Sequence, residues 1–195
     1  DGCIVQLPLP SEYCQRTLLD AVALDKDVDC LHTENLRKVE LLGEQANILP
    51  CTSQAILHTL DTYDIDVKGK HTVVVGKSLL VGLPIAMLLA ARGAIVKSFD
   101  RHSKECLHEA ASQADVIVSA AGEPRFIKSA PANSIIFDVG YSRIPGSNDI
   151  TGDIDIEKIK EFQLYTPVPG GIGPLTVAML MKNVVKAWQR HHKLP

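Results

Sequence analysis

The sequence predicts an α/β fold: a parallel sheet with helices packed on both of its faces. From residue 71 onwards, short runs rich in valine and isoleucine alternate with longer helix-forming stretches. A strand that is covered on both faces consists almost entirely of such β-branched residues. The helices between the strands provide the crossover connections that parallel strands need. Two glycines flank the first connection from strand to helix, which favours a tight turn there.

Composition excludes several classes of protein. The 195 residues are 46% hydrophobic and 22% charged, with a formal net charge of −3. This balance supports a buried core and argues against a basic surface for nucleic acid. Only 5% of the residues are aromatic, which leaves few platforms for stacking bases. Because the apolar runs are also too short to span a membrane, we expect a small-molecule partner rather than nucleic acid or lipid.

Five cysteines form an odd set without a Cys-x-x-Cys pair. We therefore expect no metal site and no disulfide framework, and a reducing compartment. The sequence starts at Asp1, inside an apparent strand, so we expect it to begin within a longer protein. A targeting segment upstream would not be visible, and the expected location is the cytoplasm, with mitochondria as an alternative.

The elements before the alternating part are less regular. Two prolines end a first strand, and a polar turn separates the first two helices. Pro50-Cys51-Thr52 opens a third helix, for which Thr52 or Ser53 is the predicted N-cap. The predicted elements are a strand over Gly2–Leu7, a helix over Ser11–Val22 capped by Ser11, a helix near Glu34–Leu42 and a helix ending at about Tyr63.

Aliphatic runs, glycines and prolines delimit the elements of the alternating part. The predicted strands are His71–Val75, Ala94–Phe99, Val116–Ala120 and Ser134–Val139. The predicted helices are Leu79–Arg92 with its start near Gly82, Ser103–Ala114, Ile156–Phe162 and Leu175–His191. Residues 146–152 and 166–174 are predicted loops.

The turn between the first of these strands and its helix is suited to a phosphate group. Gly76 ends the strand and Gly82 opens the helix, so the backbone can approach a ligand and the free N–H groups of the helix face it. The spacing alone also fits a tight turn without ligand. If phosphate binds here, Gly82→Val is expected to weaken cofactor binding without loss of the fold.

An acidic residue follows the next strand, where a dinucleotide-binding unit places one. Asp100 lies 24 residues after Gly76, close to the usual separation for a carboxylate that binds ribose hydroxyls. Arg101 beside it suits a 2′-phosphate instead. Asp100 could equally cap the helix that begins near Ser103, so both interpretations stay open.

Two further segments have the character of a binding site. Three glycines and three prolines fall within the eight residues Pro167–Pro174, a density that specifies a backbone path and suits a loop closing over a flat ligand. Near the start, Gln6 and the carboxylates of Asp25–Asp29 are able to orient a nitrogen-rich ring. Alone, each of these polar groups also fits a solvated turn.

Together these segments resemble the bifunctional methylenetetrahydrofolate dehydrogenase/methenyltetrahydrofolate cyclohydrolase family. The resemblance runs from Gly2 to about Trp188 and rests on segments that occur in the family's order, namely Val5–Pro10, Lys26–Asp29, Pro50–Thr52, Gly76–Pro84 and Thr166–Gly171. It implies the C-terminal part of a second, α/β folate domain over 1–49 and a Rossmann-like NAD(P)-binding domain over 50–173. The last helix, within 174–195, would return to the folate domain, and the protein would be a homodimer.

The resemblance also implies roles for single residues. Gln6 and Asp29 are the candidate catalytic residues, Gln6 because it would hydrogen-bond the family's catalytic lysine and Asp29 because it would bind the pterin ring. That lysine, and a tyrosine one helical turn before it, fall upstream of Asp1 in the family pattern. The implied substrate-binding residues are Val5, Gln6, Leu7, Asp29, Pro169, Gly170, Gly171, Ile172 and Gly173. The implied cofactor-binding residues are Thr52, Gly76, Lys77, Ser78, Val81, Asp100, Arg101, Tyr141 and Thr176.

The activity implied is oxidation of 5,10-methylenetetrahydrofolate with NADP, with NAD as an alternative, followed in the intact protein by hydrolysis to 10-formyltetrahydrofolate. Without the lysine, this chain alone is expected to lack the hydrolytic activity. The alternative is a non-catalytic folate- or nucleotide-binding module that stabilises a partner. The missing lysine and the departures from the family pattern at Cys30, Asp100 and Tyr141 favour that alternative, whereas Gln6, Asp29 and the Pro-Gly-Gly sequence speak against it. Ser53 and Lys77 also depart from the family pattern.

Overall fold

A parallel sheet of five strands forms the centre of the computed structural model, which describes residues 1–100, 102–144, 146, 149–159 and 161–192. The strands are β1 His71–Val75, β2 Ile95–Phe99, β3 Val116–Ser119, β4 Ile135–Asp138, β5 Ser142–Arg143, β6 Ile150–Thr151 and β7 Leu164–Thr166. The sheet has the order β2-β1-β3-β4-β7, and β5 and β6 form a separate antiparallel pair.

The helices are α1 Gln15–Asp20, α2 Thr33–Leu42, α3 Cys51–Thr62, α4 Gly82–Ala91, α5 Lys104–Ala111 and α6 Ile172–His191. A short 3₁₀ turn, Gly43–Gln45, follows α2. Within the described residues, none of these helices combines the length and the apolar character that crossing a membrane requires.

Alternate residues of the strands face opposite layers of helix. On one face, Val74 and Phe137 belong to a core that includes side chains of α3, α4 and α6. On the other face, Ile117 and Ile136 pack in a second core with Leu107 of α5. The predicted parallel sheet with helices on both faces is confirmed, and β1 has the predicted bounds.

The register of the sheet brings the carboxyl ends of the central strands to one edge. Val75 of β1 is paired with Ser119 of β3, which is paired with Asp138 of β4. The loops that leave these three strands therefore start side by side. In an open α/β sheet, this is the edge at which ligands bind.

The first 49 residues pack against this unit through long-range contacts. Arg92, just after α4, forms bidentate ion pairs with Glu44 and with Asp61 of α3, at N–O distances of 2.6–3.0 Å. Within the N-terminal segment, the buried Asp27 carboxylate accepts hydrogen bonds from the main chain of Leu31 and His32. This bonding folds residues 27–32 into a tight turn.

Several element predictions for the N-terminal part are wrong. Residues 2–7 form no strand, because their one bridge in the described chain pairs Cys3 with Asp27. The first helix is shorter than predicted, and its N-cap is Cys14 rather than Ser11. α3 begins one residue earlier than its predicted caps, with Pro50 at the N-cap and no side-chain capping bond. Neither Thr52 nor Ser53 is therefore a cap.

The C-terminal part also differs from the prediction. The described residues of 156–162 form turns and no helix, while β6 lies in a predicted loop and β7 at the edge of the sheet was not predicted. α6 begins at Ile172, three residues before the predicted start. Pro174 is compatible with this because the first N–H groups of a helix have no partner within the helix.

Candidate functional site

A cavity of about 240 Å³ lies where the N-terminal segment meets α3, the turn before α4, and α6. Its lining residues are Ile4, Val5, Gln6, Leu7, Asp29, Leu31, Cys51, Thr52, Leu80, Val81 and Thr176. The structure thus brings together candidates from both expected sets: Val5, Gln6, Leu7 and Asp29 for substrate, and Thr52, Val81 and Thr176 for cofactor. A larger cavity of about 410 Å³ between α2 and α4 is lined by none of the expected site residues.

Asp29 reaches this cavity from the turn that Asp27 organises. The next residue, Cys30, has a φ of 60°, a left-handed conformation that glycine adopts without strain and that other residues adopt rarely. Cys30 is fully buried, and its thiol lies 3.4 Å from the carbonyl oxygen of Ile48. The turn therefore has the left-handed backbone conformation that favours glycine, although the residue at this position is a cysteine.

The carboxylate of Asp29 is partly removed from water. Burial raises the pKa of Asp29, and a hydrogen bond from the Cys51 side chain opposes that change. Gln6 is exposed, and its Nε2 donates to the carbonyl of Leu7 at 3.0 Å, which leaves its side-chain oxygen able to accept. Both groups suit a ligand that carries N–H donors.

The turn at Gly76 is a close meeting point of three backbone segments. Gly76 has a φ of 102°, and a β-carbon added to it would overlap the carbonyl of Ala120 after β3. A β-carbon on Gly82 would overlap the carbonyl oxygen of Gly76 itself. The expectation that Gly82→Val leaves the fold intact is therefore wrong, because any side chain there would force α4 away from β1.

This turn fits the diphosphate part of a dinucleotide. The absence of β-carbons lets β1, the chain after β3 and the start of α4 meet closely, and Lys77 and Ser78 are exposed beside this meeting point, at the N-terminus of α4. The Ser78 hydroxyl accepts from the N–H of Val81 at 3.3 Å. The residues present can hold NAD(P) at this point.

Asp100 follows β2 and engages its own loop. Its Oδ1 accepts from the N–H of His102 at 2.8 Å and from the hydroxyl of Ser103 at 3.1 Å. These bonds and the charge of Lys77 hold the pKa of Asp100 below its ordinary value. The contacts resemble the predicted capping role, although Ser103 rather than Asp100 is the N-cap residue of α5. Arg101, the candidate for a 2′-phosphate, lies outside the described residues.

The remaining candidates do not line the 240 Å³ cavity. Tyr141 is 66% exposed beyond β4. Pro169, Gly170 and Gly173 lie around the start of α6. Gly171 and Ile172 line a different cavity of about 350 Å³, beside Tyr63 and Tyr165, and the Ile172 side chain is buried in the core.

Sequence reasoning missed a buried pair of carboxylates at the ligand edge of the sheet. Asp138 accepts from the N–H groups of Gly140, Asp153 and Ile154 at 3.0–3.1 Å. Asp153 accepts from the hydroxyl of Ser119 and from the N–H groups of Ala121 and Glu123 at 2.7–2.9 Å.

These two side chains hold the loops after β3 and β4 in place. A β-carbon on Gly140 or Gly152 would overlap one of the two carboxylates. The available signal was the pairing of each aspartate with a nearby glycine, in Asp138-Val139-Gly140 and Gly152-Asp153.

The protein-family model described as "Tetrahydrofolate dehydrogenase/cyclohydrolase, NAD(P)-binding domain" matches residues 50–192 of the chain. The chain belongs to this family. The match confirms the resemblance inferred from the motifs, and it makes NAD(P) the cofactor of the domain that surrounds the Gly76 turn.

Curated relatives in the tetrahydrofolate dehydrogenase/cyclohydrolase family agree over almost the whole chain. The bifunctional protein FolD of Christiangramia forsetii is 42% identical over an alignment of 205 positions, gaps included, which covers 99% of this chain and 68% of the relative. FolD of Chlamydia muridarum is 40% identical over 97% of this chain and 69% of its own length. The chain therefore spans about two thirds of the length of these relatives.

Solved structures of the family have the same fold. The bifunctional FolD enzyme of Campylobacter jejuni, a methylenetetrahydrofolate dehydrogenase/cyclohydrolase, is 39% identical with a TM-score of 0.90, over 97% of this chain and 67% of that one. FolD of Trypanosoma brucei, solved with NADP and an inhibitor, is 31% identical with a TM-score of 0.91, over the same shares of the two chains.

The buried carboxylate pair predicts a pH dependence of stability. Burial raises the pKa of Asp138 to about 6, above the ordinary 3.8, despite its three main-chain donors. Between these values the folded protein binds more protons than the unfolded chain, so the contribution of Asp138 to stability falls as the pH rises.

We expect the free energy of unfolding of the wild type, relative to Asp138→Asn, to fall by up to about 3 kcal/mol between about pH 4 and pH 6. Urea unfolding of both proteins across this range measures the difference. A difference that does not change with pH would contradict the raised pKa.

Proposed function

We propose that this chain binds a reduced folate and NADP side by side, and that the protein oxidises 5,10-methylenetetrahydrofolate to 5,10-methenyltetrahydrofolate. In a protein that also carries the family's lysine, we propose that hydrolysis to 10-formyltetrahydrofolate follows. The observation that carries the proposal is the single cavity that Gln6 and Asp29 share with Thr52, Val81 and Thr176. Two ligands bound at these residues would be adjacent, and adjacency is what hydride transfer requires.

On the folate side, the N-terminal segment supplies both the polar and the apolar contacts. The partly buried carboxylate of Asp29 would accept hydrogen bonds from the N–H groups of a pterin ring. Val5, Leu7 and Leu31 provide apolar surface for the faces of a flat ring. We accordingly propose that residues 1–49 and the last helix form the folate side, and that residues 50–173 form the cofactor side.

On the cofactor side, the Gly76 turn, Lys77 and Ser78 would hold the diphosphate. When bound, NADP supplies the acceptor of the hydride. The Thr176 hydroxyl donates to the carbonyl of Ile172 at 3.1 Å, so its lone pairs are available to accept from an amide NH₂ group. This hydroxyl is suited to fixing the nicotinamide carboxamide.

The non-catalytic alternative is supported by one observation. None of the described residues that line the cavity is a lysine, whereas the family pattern uses a lysine for hydrolysis. A protein with this cavity alone could bind folate and nucleotide without acting on them. A homodimer remains a prediction from the resemblance, and a location in the cytoplasm or mitochondria remains a prediction from the cysteine pattern.

Asp29 provides the direct test of the folate site. Replacement of Asp29 by asparagine keeps the shape of the side chain but places an NH₂ group where the ligand needs an acceptor. Affinity for tetrahydrofolate is expected to fall at least about tenfold, the range of a charged hydrogen bond, with NADP affinity unchanged. Calorimetric titration measures both, with Asp25→Asn as a control at an exposed carboxylate. Equal losses for both ligands would contradict the assignment.

The cyclohydrolase activity of the chain on its own is expected to be absent or very low. General acid–base catalysis contributes about 10²–10⁴-fold, and the cavity has no described lysine to provide it. The decay of methenyltetrahydrofolate absorbance, compared with the rate in buffer, measures this. Robust turnover by the purified 195-residue chain would show that another group replaces the lysine.

The preference for NADP depends on the charges near the end of β2. Asp100 repels a 2′-phosphate, whereas Lys77 and Arg101 attract it. We expect Asp100→Ala to strengthen NADP binding and Arg101→Ala to weaken it, each by roughly threefold to tenfold because solvent screens exposed charges. NAD affinity, measured in parallel, serves as the control and should change little. A loss of both cofactors in Arg101→Ala would exclude a 2′-phosphate contact.

A further inference from the structure

One buried asparagine connects the two chain segments that line the cavity. Asn183 lies on α6, and its side chain is fully buried. Its Nδ2 group donates to the main-chain carbonyls of Val28 and Leu49, both at 2.9 Å. Its Oδ1 accepts from Nε2 of Gln54 at 3.2 Å. The amide is therefore bonded to three separate parts of the chain.

The two carbonyls lie next to residues of the candidate site. Val28 directly precedes Asp29, and Leu49 precedes the Pro50-Cys51-Thr52 sequence at the start of α3. The thiol of Cys51 lies 3.5 Å from Nδ2 of Asn183 and 3.6 Å from the carbonyl oxygen of Val28. The position of the main chain at Asp29 and at Thr52 is thus set from a common point.

We propose that Asn183 is a positioning residue that fixes the distance between Asp29 and Thr52, and so holds the folate-binding and cofactor-binding walls of the cavity together. Asn183 does not itself line the cavity. The inference rests on the proposed function, because it takes Asp29 as a contact of the folate.

The chemistry of the site requires an amide at this position. Two buried carbonyls need two N–H donors, and an apolar side chain would leave both unsatisfied. An aspartate would place a carboxylate oxygen, which cannot donate a hydrogen bond, against the two carbonyl oxygens. A serine has one hydroxyl hydrogen and a shorter reach, so it cannot replace both bonds.

The experiment uses Asn183→Asp and Asn183→Ser, with Lys186→Ala as the control. Lys186 lies one turn further along α6 and donates to the carbonyl of Asn47 at 3.2 Å. It therefore also joins α6 to the N-terminal segment, but it does so away from the cavity. Circular dichroism shows which variants are folded. If Asn183→Asp is unfolded, the measurements are made on Asn183→Ser.

Local geometry is read from Cys51, which is 2% exposed in the wild type. Iodoacetamide labelling followed by mass spectrometry gives the rate of modification at this residue, separately from the exposed Cys3, Cys14 and Cys106. In folded Asn183 variants we expect labelling of Cys51 at least about tenfold faster, because the contact between Nδ2 of Asn183 and the thiol is lost, and we expect no change in Lys186→Ala.

Function is read from two titrations of the same proteins. Tetrahydrofolate affinity should fall at least about tenfold in the Asn183 variants, while NADP affinity should stay within about threefold, since the Gly76 turn is not bonded to Asn183. A purely structural role would lower both affinities in proportion to the folded fraction.

Three results would overturn the inference: unchanged Cys51 labelling in a folded variant, equal losses of both ligands, or faster labelling with unchanged tetrahydrofolate affinity. If the wild type itself fails to bind tetrahydrofolate, the proposed function fails. The labelling rates then still decide whether Asn183 holds the two segments.

Discussion

The close approach of backbone at Gly76 and Gly82 is the constraint on which the rest of the site depends. At this point the end of β1, the chain after β3 and the start of α4 meet with no room for a side-chain carbon. Because the last residues of β1, β3 and β4 are paired with one another, the loops after β3 and β4 begin beside the Gly76 turn. The start of α4 and the loops on either side of it therefore lie at one edge of the sheet, where the proposed diphosphate site lies. Asp138 and Asp153 contribute by satisfying the main chain of those loops, which would otherwise carry buried, unbonded N–H groups.

The second requirement is that residues distant in the chain form one cavity. Asp29 and Thr176 are far apart in sequence and yet line the same cavity. α6 provides this closure, since its Asn183 binds the N-terminal turn while its first residue, Ile172, is buried in the core under the sheet. A second connection is made by Arg92, which joins the N-terminal segment to α3 through Glu44 and Asp61. Both connections use groups with several fixed donors, which restrain orientation as well as distance.

Sequence reasoning succeeded where local pattern decides the structure. The run His71–Val75, which ends in three valines, and the two glycines after it define β1 and the turn without reference to other parts of the chain. Gln6, Asp29, Thr52 and Thr176 could be brought to one site only through the family resemblance, because no local rule relates segments so far apart. Residues 2–7 were predicted as a strand ended by two prolines, although a strand needs a neighbour and the described chain offers one bridge. The Asp138–Asp153 pair was missed because its role consists of hydrogen bonds from loops that only the sheet brings together.

The placement of the cysteines has a consequence for how this protein withstands oxidants and electrophiles. Cys30 follows Asp29 in the chain, and the Cys51 side chain hydrogen-bonds to Asp29. Burial raises the pKa of both thiols. A thiol that stays protonated and shielded reacts slowly, since the thiolate is the reactive form. Cys3, Cys14 and Cys106 are exposed, and hydrogen bonds from Thr17 lower the pKa of Cys14. Chemical damage therefore reaches the surface before it reaches the cavity, and the thiols nearest to the candidate substrate contact act as packing atoms rather than as reactive groups.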